Sequence, residues 1–134
     1  MMKDSPDVPF SRLLSIQSAY GPTFSGDGRR LAFISNLSGV PQAYVMDVNG
    51  GWPEPVTFER DRVGSLSWSP VDAALIFGRD VGGGENVQLF WVAADGSGER
   101  RLTHDDGAMH VFGAWSPDGR TIAYAANRQR PQPL

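Results

Sequence analysis

The 134-residue chain contains no cysteine, so it builds neither a disulfide framework nor a thiolate metal site, and nothing in it demands an oxidising compartment. It also lacks long hydrophobic runs. The longest, Leu89 to Ala94, has six residues, far short of the ~20 that a membrane-spanning helix requires, and no membrane partner is expected. Residues Met1 to Asp7 hold acids and a proline where a secretory leader needs an apolar stretch, which makes a cytoplasmic location the expectation. A dominant charge sign is missing as well. Twelve Lys and Arg against fifteen Asp and Glu leave a net charge of −3, too slight a bias to suggest a nucleic-acid partner. The pairs Arg29-Arg30 and Arg100-Arg101 read as solvated turn residues.

The usual carriers of catalysis are absent too. No serine has glycines two residues to either side, the spacing that lets a sharp strand-to-helix turn expose a nucleophile. Ser97 lies between Gly96 and Gly98, but in a turn with no helix signal behind it. His104 and His110 have Asp105 and Asp106 nearby, yet the spacing fits no zinc pattern, and all four read as linker residues with ordinary hydrogen bonds. Gly82-Gly83-Gly84 could cradle a phosphate through its amides, but no Gly-Lys-Ser/Thr ending or helix start follows, so it reads as a flexible loop. The paired acids Asp4 and Asp7, and Glu59 and Asp61, read as surface turn residues. No catalytic residue, cofactor or metal ligand is assigned from the sequence.

What the chain does have is punctuation. Sixteen glycines and ten prolines are spread along it, which favours short strands joined by turns over long helices. It also repeats itself. Phe24-Ser25-Gly26-Asp27-Gly28, Trp68-Ser69-Pro70-Val71-Asp72 and Trp115-Ser116-Pro117-Asp118-Gly119 align, their aromatics 44 and 47 residues apart. Gln42 to Gly50 aligns with Gln88 to Gly96, and Val56-Thr57 with Leu102-Thr103, at an offset of 46. The extra residues of the second unit fall in Val81 to Asn86, where a loop absorbs insertion without disturbing strands.

Each unit reads as four strands, a to d. In the first these run about Ser18 to Phe24, Arg30 to Ser35, Gln42 to Val48 and Pro55 to Phe58, with period-two alternation. Ser-Pro-Asp-Gly suits a tight a–b turn, since proline presets φ, aspartate bonds nearby amides and glycine takes the left-handed conformation. Asn49-Gly50 and Asp95-Gly96 punctuate c–d in the same way. A four-stranded meander recurring every ~40–50 residues signals a β-propeller blade. The fold expected is therefore all-β, a partial β-propeller of four-stranded antiparallel blades, two complete and one half. The divisions expected are a lead-in (1–18), blades at 19–59 and 63–104, half a blade at 110–127 and a tail (128–134). Phe24, Trp68 and Trp115, with Phe33, Phe77 and Tyr124, are the expected fillers between blades.

Trp115 to Tyr124, and Gln88 to Val92 with Asp95-Gly96 and Arg101-Leu102-Thr103, resemble the WD40-like blade repeat of TolB-type propellers and of the propeller domains of prolyl oligopeptidase-type serine peptidases. Arg12-Leu13-Leu14-Ser15-Ile16 leading into Tyr20 to Phe24, and Asn36 to Gln42, resemble the opening blade of acylaminoacyl-peptidase-like members. The resemblance implies a propeller that limits access to a separate C-terminal α/β-hydrolase domain holding the serine, aspartate and histidine. No position here matches their motifs, so none is carried over.

Propellers use ~4–8 blades. The Pro-Gln shared by Pro41-Gln42 and Pro131-Gln132 places Leu134 at the entrance to a strand c, so the sequence reads as a cut-off propeller. Its expected partners are further blades and a hydrolase domain. The alternatives are a TolB-like scaffold for protein interaction and self-association through exposed blade edges.

Overall fold

The computed structural model of the protein describes residues 18–128. The Arg12 to Ile16 segment, Asp4, Asp7 and Pro131-Gln132 lie outside them. Ten strands follow one another: β1 (Ala19–Phe24), β2 (Arg30–Ser35), β3 (Gln42–Asp47), β4 (Glu54–Pro55), β5 (Val63–Trp68), β6 (Ala74–Asp80), β7 (Val87–Ala93), β8 (Arg100–Arg101), β9 (His110–Trp115) and β10 (Ile122–Ala126). They form two four-stranded meanders, β1 to β4 and β5 to β8, and a two-stranded sheet of β9 and β10, with every pairing antiparallel. The described residues are all-β: two blades and half of a third.

Period-two alternation gives each blade two faces, and both are used. In the first blade Ala32 pairs with Val45 and Ile34 with Ala43. In the second, Leu75 pairs with Val92 and Phe77 with Phe90, the two rings stacked at 5.2 Å. These eight side chains meet in one core with Val56, Val63, Trp68 and Ala94. Ile34, Leu75, Phe77 and Val92 are at most 1% exposed, and burying side chains of this kind is worth about 1.5–3 kcal/mol each. The seam between the first two blades is thus the main source of cohesion.

The expected aromatic fillers divide by position. Trp68 and Phe77 are sealed in that seam, whereas Phe24 and Tyr124 remain exposed at 59% and 44%. Phe33 is also buried, stacked at 6.0 Å on Tyr44 of its own blade.

The a–b turns obey the expected chemistry. The Ser25 hydroxyl donates to Asp27 Oδ1, which also accepts the Arg29 amide, while the Arg30 amide donates back to Ser25 Oγ. Ser116, Asp118, Arg120 and Thr121 repeat the arrangement. Strand d is shorter than expected. Its paired residues end at Pro55: the Val56 amide still donates to the Ala43 carbonyl, but the Ala43 amide donates to the Thr57 hydroxyl instead of to a carbonyl.

That hydroxyl belongs to a buried clamp. Thr57 Oγ1 donates to Gln42 Oε1 at 2.8 Å, and Gln42 Nε2 donates to the carbonyls of Glu59 and Asp61, fixing the path into the next blade. Thr103 and Gln88 repeat it, with Gln88 Nε2 donating to the carbonyls of Asp105 and Ala108. The clamp places the start of β9, and with it the groove described next.

Candidate functional site

A groove of about 630 Å³ lies between the second blade and the half blade. Leu66, Ile76, Val87, Val111 and Phe112 supply apolar wall, and Arg62, Ser65, Asp80, Glu85 and His110 supply polar groups. The volume lies within the range of small-molecule pockets.

The repeat sets this seam apart from the first. Ten residues after the strand-a aromatic the first blade has Ile34 and the second has Gly78; five residues before that aromatic the second blade has Val63 and the half blade has His110. Ile34 and Val63 seal the first seam at 1% and 0% exposure. At the second seam Gly78 takes that place and the Ser65 side chain occupies part of the space, so that a Cβ on Gly78 would stand 2.5 Å from Ser65 Oγ.

His110 is 1% exposed and sits at the start of β9. Its Nδ1 lies 3.1 Å from the carbonyl oxygen of Val87, which occupies the place of Pro41, whose carbonyl accepts the Val63 amide in the first seam. A carbonyl only accepts, so Nδ1 carries the hydrogen and Nε2 of the neutral ring is an acceptor. Nε2 is buried and has no hydrogen-bond partner among the described residues. The ring also packs against Tyr124 at 5.7 Å. The linker role expected of His110 is thus replaced by a buried position in a strand.

The other candidates remain apart. His104 is exposed. Asp105 Oδ1 accepts the Gly107 amide and its Oδ2 pairs with Arg128 at 3.4 Å, while Asp106 pairs with Arg101. Among the described residues no three His, Asp or Glu side chains are grouped closely enough to hold a metal. Ser97 donates its hydroxyl to Asp95 Oδ1 in an exposed turn. Gly82 and Gly83 take φ of +72° in a loop that runs into β7, with no helix behind it. Of the paired arginines, Arg30 lies over the Trp68 ring at 5.2 Å and Arg100 over Trp91 at 4.6 Å.

A second polar cluster escaped the sequence reading. Arg79 lies over the Phe90 ring at 4.3 Å. Its Nε stands 3.0 Å from Glu59 Oε2, off the line of a hydrogen bond, so the contact is Coulombic; its Nη1 lies 3.7 Å from Asp61 Oδ2. Glu99 joins this group. Partial loss of hydration, then the hydrogen bond and charge of Glu59, push its carboxyl up to about 7, against the opposing Arg79 charge. Water on its exposed side screens part of that effect. The reading of Glu59 and Asp61 as plain surface acids misses their shared cation. No sequence signal joins them to Glu99, since the three meet only through the fold.

Comparison with known proteins supports the architecture. No family model matches the chain. TolB from Acinetobacter baumannii superposes with a TM-score of 0.68 at 23% identity, covering 84% of this chain and 27% of that one. A putative TolB from Agrobacterium tumefaciens gives 0.65 at 24% identity, covering 81% and 38%. The fold is that of a TolB-type β-propeller. An oligogalacturonate lyase solved in complex with manganese shares this propeller fold at 0.63 and 19% identity, covering 81% and 35%. In sequence the chain is 28% identical over 141 aligned positions to the uncharacterized peptidase YuxL of Bacillus subtilis (strain 168), which covers 79% of this chain and 21% of YuxL. The chain therefore spans about a fifth of the length of that relative and a quarter to two fifths of these TolB-type and lyase chains.

Proposed function

We propose that this chain is the N-terminal part of the gating propeller of a prolyl oligopeptidase-type serine peptidase, and that it does no hydrolysis itself. The likeness to a peptidase-named relative over 79% of the chain carries the reading. The absence of a Gly-x-Ser-x-Gly motif from the sequence assigns the bond-breaking step to other residues. In this role the blades act by shape: stacked sheets form a wall that only narrow, extended substrates pass.

The test uses cells that make the protein natively. An antibody raised against the second blade is used to capture its product after labelling with a fluorophosphonate. A labelled product longer than 134 residues is expected. An unlabelled product overturns the proposal.

The superposition on TolB at 0.68 favours a second reading, a propeller module that serves as a scaffold for protein interaction. Capture of a stoichiometric protein partner with no labelled serine in the product would favour it over the first.

A further inference from the structure

We infer that the groove between the second blade and the half blade binds small molecules that carry a protonated amine on an apolar body. This goes beyond gating and does not depend on it. The residues at this seam depart from the repeat: Gly78 and His110 stand where Ile34 and Val63 close the preceding seam, and Ser65 puts a hydroxyl into the space beside Gly78. A seam that only needed to stack blades would keep an apolar filler such as Val63 at the His110 position.

The chemistry of the opening selects the ligand. Asp80 and Glu85 border it and have no ion-pair partner among the described residues. His110, nine-tenths buried and more, contributes an acceptor nitrogen with no partner, and Ser65 adds a hydroxyl. Arg62 is the one cationic side chain at its edge. Acceptors and negative charge therefore outnumber donors and positive charge. An ammonium group offers three donors and the matching charge, while Leu66, Ile76 and Phe112 offer apolar contact to the rest of the molecule. An anionic ligand of the same shape meets two carboxylates and is disfavoured.

The experiment is an amide-resolved NMR titration of the full 134-residue chain with phenethylamine, and with 3-phenylpropionate and 2-phenylethanol as shape-matched controls. Saturable shifts at Gly78, His110 and Val111 are expected with the amine, at an affinity at least ~10-fold above that of either control. The Asp80→Asn/Glu85→Gln double variant is expected to lose that preference. His110→Val, which restores the residue type of the first seam, is expected to weaken amine binding while keeping the dispersed spectrum of the fold. Equal response to all three probes, no response to the amine, or unchanged amine preference in the double variant would overturn the inference.

Discussion

The Thr57 hydroxyl donates to Gln42 Oε1 at 2.8 Å, and 46 residues later Thr103 donates to Gln88 Oε1 at the same distance. Both pairs are buried, and both hydroxyls also accept the amide of the residue after the glutamine. One side-chain pair per blade thus closes the sheet and fixes the way to the next blade.

The two clamps differ in redundancy. Gln42 Oε1 also accepts the Glu59 amide at 2.8 Å, whereas no second donor reaches Gln88 Oε1 among the described residues. Thr103→Val strands both that oxygen and the Leu89 amide, and should cost about 2–6 kcal/mol at ~1–3 kcal/mol per stranded buried group. Thr57→Val should cost less. Urea denaturation of both variants reads the difference, and equal losses would refute the explanation.

Two glycines of the first a–b turn should respond for opposite reasons. Gly28 has φ +70° with open space around it, so Gly28→Ala should cost only the left-handed penalty of about 1–2 kcal/mol. Gly26 is not left-handed, but a Cβ there would stand 2.2 Å from the Pro70 carbonyl oxygen of the next blade. Gly26→Ala must push two backbones apart and should cost about 3 kcal/mol, at the upper end of overpacking losses. Thermal melts of the two variants rank them.

Stability should fall as pH rises between about 4.5 and 7 through Glu99. Its folded-state value is raised to about 7 from 4.5, so over that window the native state holds the proton that the unfolded state has released. Glu99→Gln should flatten this part of the pH–stability profile. In the acid range the sign reverses. Hydrogen bonds from Ser25, Ser97 and Ser116 hold Asp27, Asp95 and Asp118 below their ordinary 3.8, so their contribution is present above that value and is lost as pH falls through the lowered folded values. Denaturation midpoints from pH 2 to 8 test both arms.

Hydrogen exchange should separate the half blade from the rest. Among the described residues β10 pairs only with β9, and most of its residues are exposed, whereas five of seven in β6 are buried. Amides of β10 should exchange faster than those of β6 by roughly two orders of magnitude or more. Comparable protection would show that another element covers β10.

The blade architecture was legible because its signals are local. Ser25-Gly26-Asp27-Gly28 and Ser116-Pro117-Asp118-Gly119 build the same turn from four adjacent residues, and alternation in β2, β6 and β7 is a property of consecutive side chains. The 46-residue offset of Gln42 and Thr57 was visible too, although its meaning as a clamp was not. Strand d misled for a related reason: a threonine side chain replaces a ladder carbonyl, and the pattern of apolar residues does not register that exchange.

The sequence by itself determined the repeat, the strands, the turns and which residues occupy equivalent places. Tertiary structure decided which of those places are filled. Phe77 is sealed and Tyr124 is not, and Val63 closes a seam where His110 borders a groove. The groove beside His110 and the meeting of Glu59, Arg79 and Glu99 depend on how one blade stacks on the next. Backbone pairing and turn closure act over a few residues, whereas burial and charge coupling act across seams between residues some 20–50 apart in the chain, and only the packed sheets bring those together.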